Sequence, residues 1–205
     1  MLIMKLLFSP PSLDDLIRLL KAWKFWALGA ILGALIGAAV FYIAPPPFRA
    51  RATVLVDFNL EEAFPQDTDR QYFYYLERET RKLEEIAWSD DVIRRVANSE
   101  DTVESLRGAT LQLSQPAEGG WHFYADHRDA KLASQLASAW AQGFADEAQR
   151  KINSGELNSF IHVEVTQSGE LPVERSSPMS TYLLIGATGF LAVSAFLSQF
   201  FDKPK

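Results

Sequence analysis

The sequence predicts an α+β domain flanked by two transmembrane helices. Three observations carry that expectation: a long uncharged run near each end of the 205-residue chain, an acidic middle with both alternating and helical patterning, and a complete lack of cysteine. Composition alone, 48% hydrophobic with a net charge of −6, would suit a soluble protein, so the distribution along the chain decides the class. The divisions expected are a cytoplasmic amphipathic lead over 1–24, a first transmembrane helix over 25–44, an extracytoplasmic α+β domain over 45–178, a second transmembrane helix over 179–201 and a cytoplasmic tail over 202–205.

The first run, FWALGAILGALIGAAVFYIA from Phe25 to Ala44, holds 20 residues without a charge. At about 1.5 Å per residue that matches a hydrocarbon core of about 30 Å. Trp23 and Trp26 at one end, and Phe41 and Tyr42 at the other, suit the headgroup boundaries. A cleaved signal peptide is the alternative, but its apolar region would be shorter and preceded by a short basic stretch, whereas here a 24-residue lead precedes the run and Pro45-Pro46-Pro47 follows it. The second run, Met179 to Phe201, is 23 uncharged residues closed by Asp202-Lys203. Neither run has the polar face of a buried soluble helix.

Arg18, Lys21 and Lys24 before the first run, with Lys203 and Lys205 after the second, place both ends on the cytoplasmic side against Arg49, Arg51 and Arg175 opposite. Leu13, Leu16, Ile17 and Leu20 form a stripe opposite Asp14, Asp15 and Arg18, so Ser12 to Lys24 either lies along the interface or extends the first helix. Gly29, Gly33 and Gly37 recur every four residues, a small-residue stripe of the kind that lets membrane helices approach closely.

Between the runs, β-branched alternation predicts a first strand over about Ala50 to Phe58. A loop with Pro65, Asp67 and Asp69 follows, then a helix whose stripe is Tyr72, Tyr75, Leu76, Leu83, Ile86 and Ala87. The aromatic cluster Tyr72-Phe-Tyr-Tyr75 is read as core and helix surface rather than a sugar-stacking platform. Ser89 is placed to cap a helix carrying Val92, Ile93, Val96 and Ala97, and Thr102 to cap a short turn with Val103 and Leu106. Thr110–Ser114 and Trp121–Ala125, separated by Pro116 and Gly119-Gly120, predict a hairpin. Asp129 opens the longest helix of the domain, with Leu132, Leu136, Trp140, Phe144, Ala148 and Ile152 every four residues and alanines beside them; Gly155 ends it. A last strand, Phe160 to Val165, carries Ile161, Val163 and Val165 on one face. Strand, helices, strand, strand, helix, strand is the order of a ferredoxin-like antiparallel sheet with helices on one face.

Residues 45–178 hold 14 Lys and Arg against 23 Asp and Glu, a formal charge of −9. That argues against a nucleic-acid partner, since phosphate binding needs a basic face. Chemistry is equally absent: no catalytic, cofactor-binding or metal-ligating residue is assigned. His122 and His127, with Asp126, are five apart on one strand and so face opposite sides, which predicts exposed hairpin histidines rather than ligands. Glu61-Glu62, Glu84-Glu85, Asp90-Asp91 and Glu100-Asp101 are sequence neighbours, which do not converge on one atom and read as solvated surface. Neither a phosphate-binding glycine-lysine loop nor a nucleophile elbow occurs. With four residues after the second run, no cytoplasmic output domain is expected in this chain.

Four stretches carry a resemblance: Leu13-Asp-Asp-Leu-Ile-Arg-Leu-Leu20; Pro47-Phe-Arg-Ala-Arg-Ala-Thr-Val-Leu-Val56; Ser89-Asp-Asp-Val-Ile93; and Leu171-Pro-Val-Glu-Arg-Ser-Ser-Pro178. Together they resemble the polysaccharide co-polymerase family, the Wzz-like chain-length determinants. The last is similar to that family's proline-rich approach to its second membrane helix and maps onto Pro172 and Pro178, where a fixed φ and a missing N–H give a stiff extended lead; an ordinary helix stop is the alternative. Two departures matter. Large members insert a long helical projection, for which the helix from Asp129 is too short, and kinase-fused members carry a Walker-type loop and a tyrosine tail that this sequence lacks.

The resemblance implies a homo-oligomeric ring in the bacterial inner (plasma) membrane that governs chain length, polymerisation or export of a surface polysaccharide without catalysis. Implied partners are the lipid bilayer, further copies of the chain, a polysaccharide polymerase and the glycan chain. Two rival expectations stand beside it: an adaptor that activates a separate cytoplasmic tyrosine kinase through residues 1–24, and a membrane-anchored assembly protein of an export machine unrelated to glycans.

Overall fold

The computed structural model describes residues 17, 20–63, 69–97, 102–115, 120–171 and 174–201. Outside the described residues lie most of the Ser12 to Lys24 lead, Pro65 and Asp67 of the expected loop, Glu100-Asp101, Pro116, Gly119 and Pro172. The chain divides into two compact units: Pro47–Ser176, which is α+β, and a second formed by the flanking segments.

The α+β unit is built on a four-stranded antiparallel sheet. Its strands are β1 (Phe48–Asp57), β2 (Leu111–Ser114), β3 (Gly120–His127) and β4 (His162–Gln167), in the order β2-β3-β1-β4. Alternation sets the two faces: Ala50, Ala52, Val54 and Val56 of β1 are buried, as are Trp121, Phe123 and Ala125 of β3, whereas Arg51, Leu55 and Asp57 are exposed. β1 pairs with β3 from Phe48 opposite His127 to Leu55 opposite Gly120. Its pairing with β4 covers only Thr53 to Asp57 and shifts register between Thr53 and Val54, a bulge that re-aims the start of β1.

The unit's helices are α2 (Leu60–Ala63), α3 (Asp69–Ala87), α4 (Asp90–Val96), α5 (Val103–Ser105) and α6 (Ala130–Ser154). Three of these helices, α4, α5 and α6, have capped ends with a local cause. Ser89 Oγ accepts from Val92 N at 3.4 Å, and α4 carries Asp90 and Asp91 in its first turn with Arg94 and Arg95 in its last, in accord with the helix dipole. Thr102 and Ser105 form a reciprocal capping box at α5. Asp129 Oδ1 accepts from Lys131 N at 2.7 Å to open α6, and Gly155, with φ +79°, closes it in the left-handed region.

α6 packs against β1, β3 and β4, and α3 and α4 pack on α6. The stripe read from the sequence is the buried one: Leu136, Trp140, Phe144 and Ala148 face the core with Ala133, Ala137 and Ala141 between them. Trp140 is the hub. Its ring meets Phe123 edge-on at 4.9 Å and Trp88 at 4.7 Å, and its Nε1 donates to the Ala87 carbonyl at 2.8 Å. Trp121 stacks on Phe144 at 5.5 Å.

Several boundaries and environments differ from the expectations. β1 starts two residues earlier than expected, at Phe48, because long-range partners hold it there. Asp69 begins α3 instead of lying in a loop, and Leu60–Ala63 is a helical turn. β3 runs on to His127, and β4 starts at His162, after a turn in which Phe160 N donates to Asn158 Oδ1. The turn after Thr102 widens into a π-helix, Leu106–Thr110, which buries Leu106 and sends Arg107 back to the Trp88 carbonyl and to Asp90 Oδ1 at 2.6 Å. In the aromatic cluster Tyr75 is buried and Tyr74 exposed. His122 and His127 are half-buried rather than exposed: one meets Thr53 Oγ1 at 3.2 Å, the other accepts from Asp129 N at 2.9 Å.

The second unit holds two helices long and apolar enough to cross a membrane, α1 (Trp23–Ile43) and α7 (Met179–Phe201). They pack against each other along their lengths.

Candidate functional site

Three residues of α1 are buried, and they are Gly29, Gly33 and Gly37. Opposite them α7 places Tyr182, Gly186, Phe190 and Ser194, again at intervals of four. The approach leaves no room for side chains: a Cβ on Gly29 would lie 2.0 Å from Ser194 Oγ, one on Gly33 2.1 Å from the Gly186 carbonyl, and one on Gly37 2.2 Å from the Tyr182 carbonyl. The reciprocal position, Gly186, has the Gly33 carbonyl 2.1 Å away. Phe41 and Tyr182 close one end of the seam, edge to face at 5.4 Å. Backbone approach of this kind replaces the hydrophobic effect as the source of helix association in an apolar solvent.

The faces turned away from the seam are apolar and exposed. Leu28, Ile31 and Leu35 of α1 and Leu184, Ile185 and Val193 of α7 are each more than half exposed. An exposed apolar surface of this extent marks a surface of contact, with a membrane or with another protein. Thr188 Oγ1 on the exposed face donates to the Leu184 carbonyl, and the buried Ser198 Oγ donates to the Ala195 carbonyl, both within α7 at 2.7 Å. Pro178 is exposed, and its carbonyl accepts from Thr181 N at 3.0 Å in the first turn of α7.

Within the α+β unit the two chain ends are fastened together. Ser176 N donates to the Pro47 carbonyl at 2.8 Å, Arg49 N donates to the Glu174 carbonyl at 3.3 Å, and Phe48 and Arg175 form a bridge with the guanidinium 4.1 Å from the ring centroid. Arg49 also forks onto Asp126 with bonds of 2.8 and 2.7 Å, and that carboxylate holds the guanidinium above its ordinary pKa through the hydrogen bond. The segment after β4 is tied to α6: Ser138 Oγ accepts from Gly169 N at 2.9 Å, and Ser134 Oγ donates to the Gly169 carbonyl at 2.5 Å. Serines, a glycine and backbone bonds therefore route the chain here, and Pro172 lies outside the described residues.

Among the described residues no three His, Asp or Glu side chains gather as metal ligands. Asp126 is committed to Arg49, and burial, with the charge of Arg51 second, pushes the His122 ring below its usual pKa. Two buried carboxylates escaped the sequence reading. Glu79 is held by Arg78 at 2.9 Å and Lys82 at 3.1 Å. Glu147 is held by Arg150 and, at 3.2 Å, by Arg95; the Arg150 hydrogen bond keeps its carboxyl below the usual range against the opposing effect of burial. A cation three or four residues away on the same helix is the signal that marks both. A surface hollow of about 290 Å³ between α3 and the end of α6 is lined by Lys82, Glu85, Lys151 and Glu156, of which Lys151 pairs with Glu156 at 2.5 Å and Lys82 reaches Glu79 at 3.1 Å.

The described geometry builds a tightly seamed pair of apolar helices and a sheet whose first strand and returning segment are locked side by side. No protein-family model and no curated protein matches the chain.

Proposed function

We propose that the chain is a two-pass membrane protein with both ends in the cytoplasm, α1 and α7 in the bilayer, and the α+β unit on the opposite side. In this role it is a non-catalytic scaffold of the polysaccharide co-polymerase kind, assembled as a homo-oligomer in the bacterial inner membrane and governing chain length, polymerisation or export of a surface polysaccharide. The observation that carries the reading is the seam of Gly29, Gly33 and Gly37 against α7, which unites two membrane-length helices that bracket a single folded unit. The strand order β2-β3-β1-β4, antiparallel throughout, supports the ferredoxin-like assignment, and the exposed polar side chains of β1 support helices on one face only.

Deletion of the gene in its host tests the role directly. A shift in the length distribution or amount of surface glycan, restored by the full chain, is the expected result; an unchanged glycan profile discards it. Cysteine-accessibility labelling tests the topology separately, since a single cysteine placed at exposed Arg94 must react with an impermeant reagent from outside the cell.

A further inference from the structure

The outer strands of the sheet are β2 and β4, and among the described residues no further strand pairs with either. On the core side both carry apolar residues that are only half-buried, Leu113 on β2 and Val163 and Val165 on β4, packed at the rim of the core. On the other face Gln112 and Ser114 of β2, with His162 and Glu164 of β4, are exposed. An outer strand offers its row of outward N–H and C=O groups as a template for another strand, and neither of these holds the lysine or proline that commonly blunts one.

The number and direction of the strands make the two edges fit each other. Every neighbouring pair is antiparallel, so across four strands β2 and β4 run in opposite directions. Copies of the chain that share one orientation therefore meet antiparallel when β2 of one lies beside β4 of the next. Backbone groups along a strand point alternately to its two sides, and carrying that alternation through three ladders makes side chains of the same face accompany the outward groups on both edges; an odd number of strands would leave them out of phase. One register then matches all four residues of β2, with Leu111 opposite Val165, Gln112 opposite Glu164, Leu113 opposite Val163 and Ser114 opposite His162. Apolar side chains meet on the core side, while on the other face an amide donor meets a carboxylate and a hydroxyl meets an imidazole. His162 to Val165 all lie on the regular side of the β1–β4 bulge.

We propose that β2 and β4 are the two halves of an interface between copies of this chain, the β2 edge of one pairing with the β4 edge of the next so that the sheet continues from molecule to molecule. The inference deepens the homo-oligomer of the reading given above, on which it rests, by naming the surfaces that join the copies. Because the two halves differ, the contact is head to tail, and each added copy presents the same open edge again until the series closes on itself.

Disulfide trapping of the full-length chain in membranes provides the test, free of background because the sequence holds no cysteine. Gln112 and Glu164 are exposed, so their substitution spares the core. Opposite Cα atoms of an antiparallel ladder lie about 4.5–5.5 Å apart, within reach of a disulfide, whereas inside one chain the two positions are three ladders, about 14 Å, apart and cannot join. After oxidation with copper phenanthroline, Gln112→Cys with Glu164→Cys in one chain is expected to give dimers, trimers and larger multiples on a non-reducing gel, and the two single variants co-expressed to give dimers only. Either single variant by itself, and Gln112→Cys with Arg94→Cys at an exposed position on α4, are expected to run as monomers. Dimers from Glu164→Cys by itself, or an equal ladder from the Arg94 pair, overturn the inference. No ladder from the first pair, while amine-reactive crosslinking still shows a homo-oligomer, overturns the edge pairing and leaves the earlier reading intact; a chain monomeric by both measures overturns both.

Discussion

Gly33 and Gly186 meet backbone to backbone across the paired apolar helices, each lying where the other's carbonyl would strike any added Cβ at 2.1 Å. Carbonyl groups cannot swing aside as a side chain can, so both positions require glycine for as long as the helices stay paired.

Gly33→Val is therefore expected to force the helices apart, costing about 1–3 kcal/mol as overpacking does. Gly189→Val, on the same helix as Gly186 but with nothing within 4 Å of its Cβ position, is expected to be nearly neutral. Thermal unfolding of the two full-length variants in one detergent checks the contrast; equal melting temperatures would remove the seam as the source of pairing.

Gly169→Ala brings a methyl to 2.7 Å from the Ser134 carbonyl and 3.2 Å from Ala137 Cβ. The expected cost is about 1–3 kcal/mol. Ser138→Ala, which removes the acceptor for Gly169 N, is expected to cost about 1 kcal/mol. Urea titration followed by tryptophan fluorescence reads both.

Trp140→Ala should be the most damaging single change in the α+β unit, at about 3–5 kcal/mol, because it opens a cavity beside Phe123 and Trp88 and strands the Ala87 carbonyl. Trp140→Phe refills much of the cavity but not the hydrogen bond, so an intermediate midpoint is expected in the same titration.

Acid sensitivity follows from Glu147. Its folded pKa is lowered, chiefly by the Arg150 hydrogen bond, so the unfolded chain binds a proton more readily than the folded one. The stabilisation is whole above the ordinary carboxylate value of about 4.3 and is lost as pH falls through the lower folded value. Glu147→Gln is expected to flatten that part of the stability curve, measured as urea midpoints between pH 6 and 3, while lowering stability at pH 7. A parallel curve for wild type and variant would show that another group carries the acid limb.

Elements whose causes are local were legible in the sequence. Ser89, Thr102 and Asp129 announce helix starts and Gly155 a stop, because caps act within three or four residues. The alternation of β1 and the four-residue stripe of α6 show their buried faces for the same reason. The start of β1 at Phe48 was not legible, since its partners are His127 and Arg175, far along the chain. The π-helix at Leu106–Thr110 was hidden because no composition marks one extra residue in a turn. The three glycines stood out by spacing, but the facing residues Tyr182, Gly186 and Ser194 become visible only when the two helices are laid together. Gly169 gave no sign at all, its two serine partners lying more than thirty residues away.

The hydrogen bond from Ser176 to Pro47 has a topological outcome. A folded module whose first and last residues touch is a natural insert: spliced into a turn of an unrelated host it asks for no spreading of the host's own strands, and a short bridge across that gap allows new termini to be opened elsewhere. Sequence length between the apolar helices can thus change, through insertion at any surface turn, without disturbing the spacing at which the two strands of chain depart.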